Sequence, residues 1–255
     1  MSSFLHNQTH NLRNVNSRQI LYPVGWHSEM YKKHRASVSK NFPKPPTRQK
    51  KTLFCPPPPS IDLEKVVPIQ QQFMEKIKNM NLCERLHHLS SLKEIHHFRG
   101  EHHYSQSVTL VENFIIRKIL PYNQMGLHLF RNEVLSLLSL ASYPNHFPTI
   151  IAFDPKNLLI YMTYAGEQIN FRNIPSDWET QFTEISDILR KTKKNSNDMI
   201  ARNTCVLNGN IYIIDFGLDN QWGRSLDEVL HEFYYRLRQL FFQHRKQSSS
   251  RLVGT

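Results

Sequence analysis

Only eight glycines occur in this chain of 255 residues, so few backbone positions can press against a ligand without a side chain in the way. Cysteine is rarer still. Cys55, Cys83 and Cys205 are an odd number with no CxxC spacing, which excludes a disulfide framework and points to free thiols in a reducing compartment. No apolar run approaches the length of a membrane span, and the opening MSSFLHNQTHN lacks the apolar core of a signal peptide. A soluble, intracellular chain is expected, cytoplasmic or nuclear. Acidic residues are almost missing from residues 1–60, where ten Lys or Arg face the single acid Glu29; that segment carries +9 of the formal net charge of +11. The remainder is nearly neutral.

The basic segment shows no helical or strand period. It holds Pro23, Pro43, Pro45 and Pro46, then four successive prolines, Pro56 to Pro59, a run that favours an extended polyproline rod and excludes helix or sheet interior. An extended basic, Pro-rich tail is expected over 1–60. Its cations, interleaved with Tyr22, Trp26, Tyr31 and Phe42, suit nucleic acid through phosphate contacts and stacking, or an acidic protein surface; a plain linker is the other reading.

Beyond residue 60 the pattern changes. Pro68 followed by Ile69, Phe73, Ile77 and Met80 predicts a helix with proline in its first turn. Residues 106–120 read as two strands, SVTLV and NFIIRKIL, joined by a tight turn at Glu112–Asn113. Residues 126–141 carry Leu127, Phe130, Val134, Leu137 and Leu138 at helical spacing, and TIIAF and NLLIYMTY are strand-like. Ser176 with Glu179, and Ser225 with Glu228, predict capping boxes for two later helices. Between those helices, CVL and NIYII flank Asn208–Gly209, a hairpin signal because both central residues need positive φ. The fold class expected is α+β.

Phosphoryl transfer from ATP requires a cation on the α/β-phosphates, a carboxylate holding that cation, two oxygen-bearing ligands for Mg²⁺, and a carboxylate that orients the attacking hydroxyl. The segment DMIARN puts Asp198 and Asn203 five residues apart, and after the hairpin comes Asp215–Phe216–Gly217 behind an apolar strand. This constellation resembles the catalytic and metal loops of the protein kinase superfamily, and the likeness extends over residues 91–242. The resemblance implies a two-lobed kinase-like fold binding ATP and Mg²⁺. Asp198 is then the catalytic base, and Asn203 and Asp215 are the metal ligands. Lys118, in FIIRKIL, resembles the phosphate-gripping lysine, with Arg117 as a rival because strand register is open; Glu133 resembles its helix partner. LLIYMTYAGE resembles the last N-lobe strand and hinge, with Met162 beside the adenine and Thr163, Tyr164 and Ala165 offering backbone hydrogen bonds.

The departures are specific. Gly100 stands alone where the family has three glycines, and Ser196–Asn197 replaces the His-Arg that precedes the catalytic aspartate. Only 38 residues follow Gly217, too few for a peptide-binding helical platform; this short ending resembles RIO kinases and the small kinase of the KEOPS complex. The domain organisation expected is a tail over 1–60, a helical lead-in over 61–90, an N-lobe over 91–165, a truncated C-lobe over 166–245 and a flexible end over 246–255. Two functions compete. One is a kinase-like phosphotransferase, Ser/Thr type by family default. The other is a pseudokinase, a binding or structural module of a large assembly such as a virus particle or ribonucleoprotein, with the tail as anchor. The histidine pairs at 87–88, 96–97 and 102–103 have no cysteine or carboxylate spacing that completes a zinc site, so surface histidines are expected.

Overall fold

The computed structural model describes residues 61–98, 105–196, 199–218 and 224–252. The tail over 1–60, Gly100 with His102 and His103, and Asp198 lie outside the described residues. What is described is α+β, with antiparallel sheets and five α-helices.

Helices α1 (Leu63–Ile77) and α2 (Leu82–Ser90) lead in. Pro68 lies inside α1 rather than in its first turn. Leu63, Val66 and Val67 carry the apolar stripe upstream, and burying Val66 to 2% exposure outweighs the one backbone hydrogen bond that proline forfeits. Asn81 separates the helices through a full capping box with Glu84, an N-terminal signal carried by the local sequence.

A five-stranded sheet follows in the order β1-β2-β3-β5-β4. Its strands are β1 (Glu94–Phe98), β2 (Ser107–Val111), β3 (Ile115–Ile119), β4 (Ile150–Asp154) and β5 (Leu159–Thr163), and every pairing is antiparallel. Glu112 and Asn113 take φ of 50° and 59° in the β2–β3 turn, as expected. Side-chain alternation gives the sheet two faces. One, with Val111, Ile115 and Tyr161, packs under Ile77 of α1 and Leu89 of α2. The other carries Ile116 and Lys118 of β3 with their partners Leu110, Val108, Met162 and Ile160. On that side α3 (Gln124–Ser139) lies against β4 and β5, and Phe130 meets Phe153 edge-on with ring centroids 6.3 Å apart.

The chain then builds a smaller sheet, β6-β7-β8, from Glu167–Gln168, Thr204–Leu207 and Asn210–Ile213. Asn208 and Gly209 turn at φ of 50° and 78°, the expected hairpin. Helix α4 (Trp178–Thr192) starts at Asp177 with no side-chain cap bond, so the predicted Ser176–Glu179 box does not form. Ser176 stands one residue too early. Instead Gln181 Nε2 donates to Asp177 Oδ1 at 2.9 Å and to Gly209 O at 2.8 Å, while its Oε1 accepts from Ile211 N, tying α4 to the hairpin. The Ser225–Glu228 box does form, at 2.8 and 3.2 Å, and opens α5 (Leu226–Leu252). That helix continues past residue 246, where a flexible end is expected from sequence, since no Pro or Gly interrupts it before Leu252.

Residues 164–166 connect the sheets. Gly166 turns there at φ +93°, and a Cβ at this position would lie 2.1 Å from Val206 O. Gly166→Ala is therefore expected to cost about 2–3 kcal/mol, a clash added to left-handed backbone strain. Urea unfolding of the full chain measures it; a loss within about 0.5 kcal/mol contradicts the tight approach.

Candidate functional site

Strand alternation decides which β3 cation faces inward. Arg117 points to the α1–α2 side and pairs with Glu94 at 2.6 Å. Lys118 points the other way, and its Nζ sits 2.6 Å from Glu133 Oε2 and 3.1 Å from Asp215 Oδ1. Of the two rivals, Lys118 alone meets Glu133. Three chain segments far apart in sequence supply this cluster: β3, the middle of α3, and the residues after β8.

The three charges differ in environment. Lys118 and Glu133 are 7% and 1% exposed, whereas the Asp215 side chain is 44% exposed. Burial alone would lower the Lys118 pKa, but the carboxylates of Asp215 and Glu133 outweigh it and hold the ammonium above its ordinary value. Burial raises the Glu133 carboxyl, and the Asp215 charge adds to that against the pull of Lys118. For Asp215 burial also acts upward, yet Lys118 prevails, helped by the Gly217 amide, and the net shift is downward. Asp215 is thus an anion at neutral pH at the open end of a buried ion pair. Lys118 has one ammonium N–H beyond the two carboxylate contacts, which a ligand oxygen can take.

Asp215 holds φ of +64°, a left-handed conformation that Asp tolerates better than most residues. Its neighbours secure it. Ser196 Oγ donates to Asp215 O at 3.0 Å, Ile214 N donates to Asn203 O at 3.0 Å, and Asn132 Nδ2 donates to Gly217 O at 3.1 Å. Phe216 is fully buried, its ring 5.9 Å from that of Phe147. Asn203 closes a 3₁₀ turn (Ala201–Asn203) and is 8% exposed, so its backbone sits beside the strand that delivers Asp215. Ser196 and Asn203, on either side of Asp198, both touch the Asp215 segment.

No family model matches the chain, and no curated protein is significantly similar to it in sequence. What the site can do follows from its own side chains.

At the end of β5, Met162 is 5% exposed on the Lys118 face, opposite Ile116. Thr163 N donates to Thr149 O at 3.0 Å. Tyr164 N–H donates to Phe114 O and its carbonyl accepts from Gln70 Nε2, both at 2.9 Å, so its one backbone donor is already used within the fold. Extended backbone turns successive peptide groups to opposite edges, and those of Tyr164 face β3 and α1. Ala165 is 5% exposed and makes no hydrogen bond among the described residues.

Ser196, Asn132 and Gln70 are the supporting residues that sequence reasoning misses. Each acts by a side-chain bond to backbone distant in sequence, which no local pattern announces. Among the described residues no group of three or more His, Cys, Asp or Glu is arranged to hold a metal ion, and His87, His88, His96 and His97 gather no such set. No described helix is long and apolar enough to cross a membrane.

Cys205 lies on β7 among Tyr164, Ala165 and Leu207, and burial pushes its thiol from 9.0 up to about 12. A group with a raised folded pKa gives stability that is complete below its unfolded value and lost as pH rises toward the folded one. The melting temperature should therefore fall as pH climbs above 9.0, and less steeply in Cys205→Ala. Identical alkaline slopes for the two proteins contradict this.

Proposed function

We propose that this chain is an ATP- and Mg²⁺-dependent phosphotransferase of the protein-kinase type, with the five-stranded sheet as the core of one lobe and the β6–β8 sheet with α4 and α5 as a short second lobe. The observation that carries the proposal is Lys118 bridging the buried Glu133 and the open Asp215. A buried lysine held between two carboxylates is costly as a stability device alone, since desolvating the charges offsets most of their attraction. It is well suited to gripping a polyphosphate beside a metal ligand.

The anionic, partly open Asp215 and the neighbouring Asn203 fit a hard cation that prefers oxygen, and they would hold Mg²⁺. Bound there with nucleotide, Mg²⁺ would offset charge on the phosphate oxygens. Lys118 binds α/β-phosphate oxygens, and Glu133 keeps the ammonium aimed. Asp198, by the kinase resemblance, accepts the proton of the acceptor hydroxyl as its oxygen bonds to the γ-phosphorus and the bond from that phosphorus to the β-γ bridging oxygen breaks, releasing ADP. The acceptor is a Ser or Thr hydroxyl by family default.

The second reading is a nucleotide-binding module without turnover. The single glycine at Gly100 and the missing His-Arg favour it. Either way, the basic tail over 1–60 is proposed as an anchor for nucleic acid or an acidic protein surface.

The test is incubation with γ-labelled ATP and Mg²⁺, with and without generic protein acceptors. Transfer above a variant lacking the Asp215 carboxylate supports the enzyme. Thermal stabilisation by MgATP without transfer supports the module, and neither effect removes both readings.

A further inference from the structure

The kinase resemblance begins at residue 91, yet a side chain from well upstream reaches the proposed base-binding edge. We infer that Gln70, on α1, is a positioning residue for the nucleobase; this rests on the reading of residues 162–165 as the adenine side of the site.

The carboxamide of Gln70 uses both N–H bonds of one nitrogen. Nε2 lies 2.9 Å from Phe114 O and 2.9 Å from Tyr164 O. Phe114 O also accepts from Tyr164 N at 2.9 Å, so three groups from α1, the start of β3 and the end of β5 form one closed arrangement. Val66, one turn earlier on α1, is 2% exposed in a single apolar cluster with Tyr164, Ala165, Cys205 and Leu207. Helix α1 is thus held by apolar packing and fixed in register by a polar bond, a combination that leaves Tyr164 one orientation.

That orientation has a consequence one residue later. With both peptide groups of Tyr164 turned toward β3 and α1, the Ala165 N–H is directed to the opposite edge. Buried backbone groups are nearly always hydrogen-bonded, and Ala165, 5% exposed, has no partner among the described residues. A purine edge, with an acceptor beside a donor, is the chemistry that completes it. Gly166 follows at φ +93°, where a Cβ would lie 2.1 Å from Val206 O, so the chain passes close to β7 directly after Ala165. Gln70 touches neither base nor phosphate; it acts by denying Tyr164 the rotation that would misdirect Ala165.

Calorimetric titration of the full chain separates this role from a merely structural one. Wild type, Gln70→Met (similar length, no donor) and Gln70→Glu are titrated with ATP and with inorganic tripolyphosphate, each with Mg²⁺, and thermal melts accompany every protein. The expected result is about a tenfold loss of ATP affinity in both variants, the size of one hydrogen-bond set, with tripolyphosphate affinity unchanged. Parallel weakening of both ligands, or no change in ATP affinity, overturns the inference. Wild-type protein that binds both ligands equally also overturns it, because the base is then not read, while the phosphate part of the reading stands. Wild-type protein that binds neither removes the nucleotide reading and this inference together.

Discussion

Asp215→Asn is expected to abolish the proposed phosphoryl transfer, by roughly three orders of magnitude or more, while leaving the fold intact. Asn is nearly isosteric and tolerates the left-handed φ of +64° that this position requires, so the turn after β8 persists. Its amide oxygen can still accept from Lys118, 3.1 Å from the present Oδ1. What disappears is the negative charge. Lys118 holds the Asp215 carboxyl below its ordinary value of 3.8 against the effect of burial, so the wild-type group is ionised throughout the neutral range. The stability this ionisation contributes is present above 3.8 and lost only as pH falls through the lower folded value. The variant should therefore lose Mg²⁺-dependent nucleotide stabilisation at neutral pH and show a flatter acid limb. Labelled-ATP transfer and melting curves with and without MgATP check both statements. Wild-type turnover in the variant would remove Asp215 from the site.

Lys118→Met is expected to destabilise the folded chain by roughly 3–5 kcal/mol, the usual cost of removing one partner from a buried ion pair. Glu133 is 1% exposed on the inner side of α3, with Lys118 as its ion-pair partner at 2.6 Å. Without the ammonium, burial and the nearby Asp215 charge both push Glu133 toward its protonated form. A raised folded pKa gives stability at low pH that is lost as pH rises, so the variant should recover part of its deficit on acidification. Lys118→Met combined with Glu133→Leu should restore most of it, because no buried charge then remains unpaired. Equilibrium urea unfolding at several pH values measures all three. A single variant within about 1 kcal/mol of wild type would mean that water reaches Glu133 freely.

These effects centre on residues whose types are legible in sequence. The β2–β3 turn at Glu112–Asn113 and the hairpin at Asn208–Gly209 are found where they are expected, since positive φ leaves a compositional trace. The Ser225–Glu228 box forms for a similar local reason. Local reading fails where tertiary contacts compete. The Ser176–Glu179 box yields to Gln181, whose amide serves Gly209 and Ile211 on the hairpin. The start of α1 is set by the burial of Val66, not by the preference of Pro68 for a first turn. Strand β1 escapes sequence reading because EIHHF is too polar to stand out; its pairing with β2 and the Arg117–Glu94 bridge hold it.

By itself the sequence determined the inventory: a basic tail, an α+β remainder, and the lysine, glutamate, asparagine and aspartates from which a phosphate site can be built. Propensity, spacing and turn chemistry act over a few residues, and one chain carries that information directly. Only the tertiary structure decided that Lys118 and not Arg117 turns toward Glu133, that Asp215 joins them across 97 residues, and that Gln70 takes up the Tyr164 carbonyl. Those outcomes depend on strand register and on which helix face is buried. Shifting a strand by one residue exchanges its faces at no cost to local propensity, so only packing against the rest of the molecule selects between them.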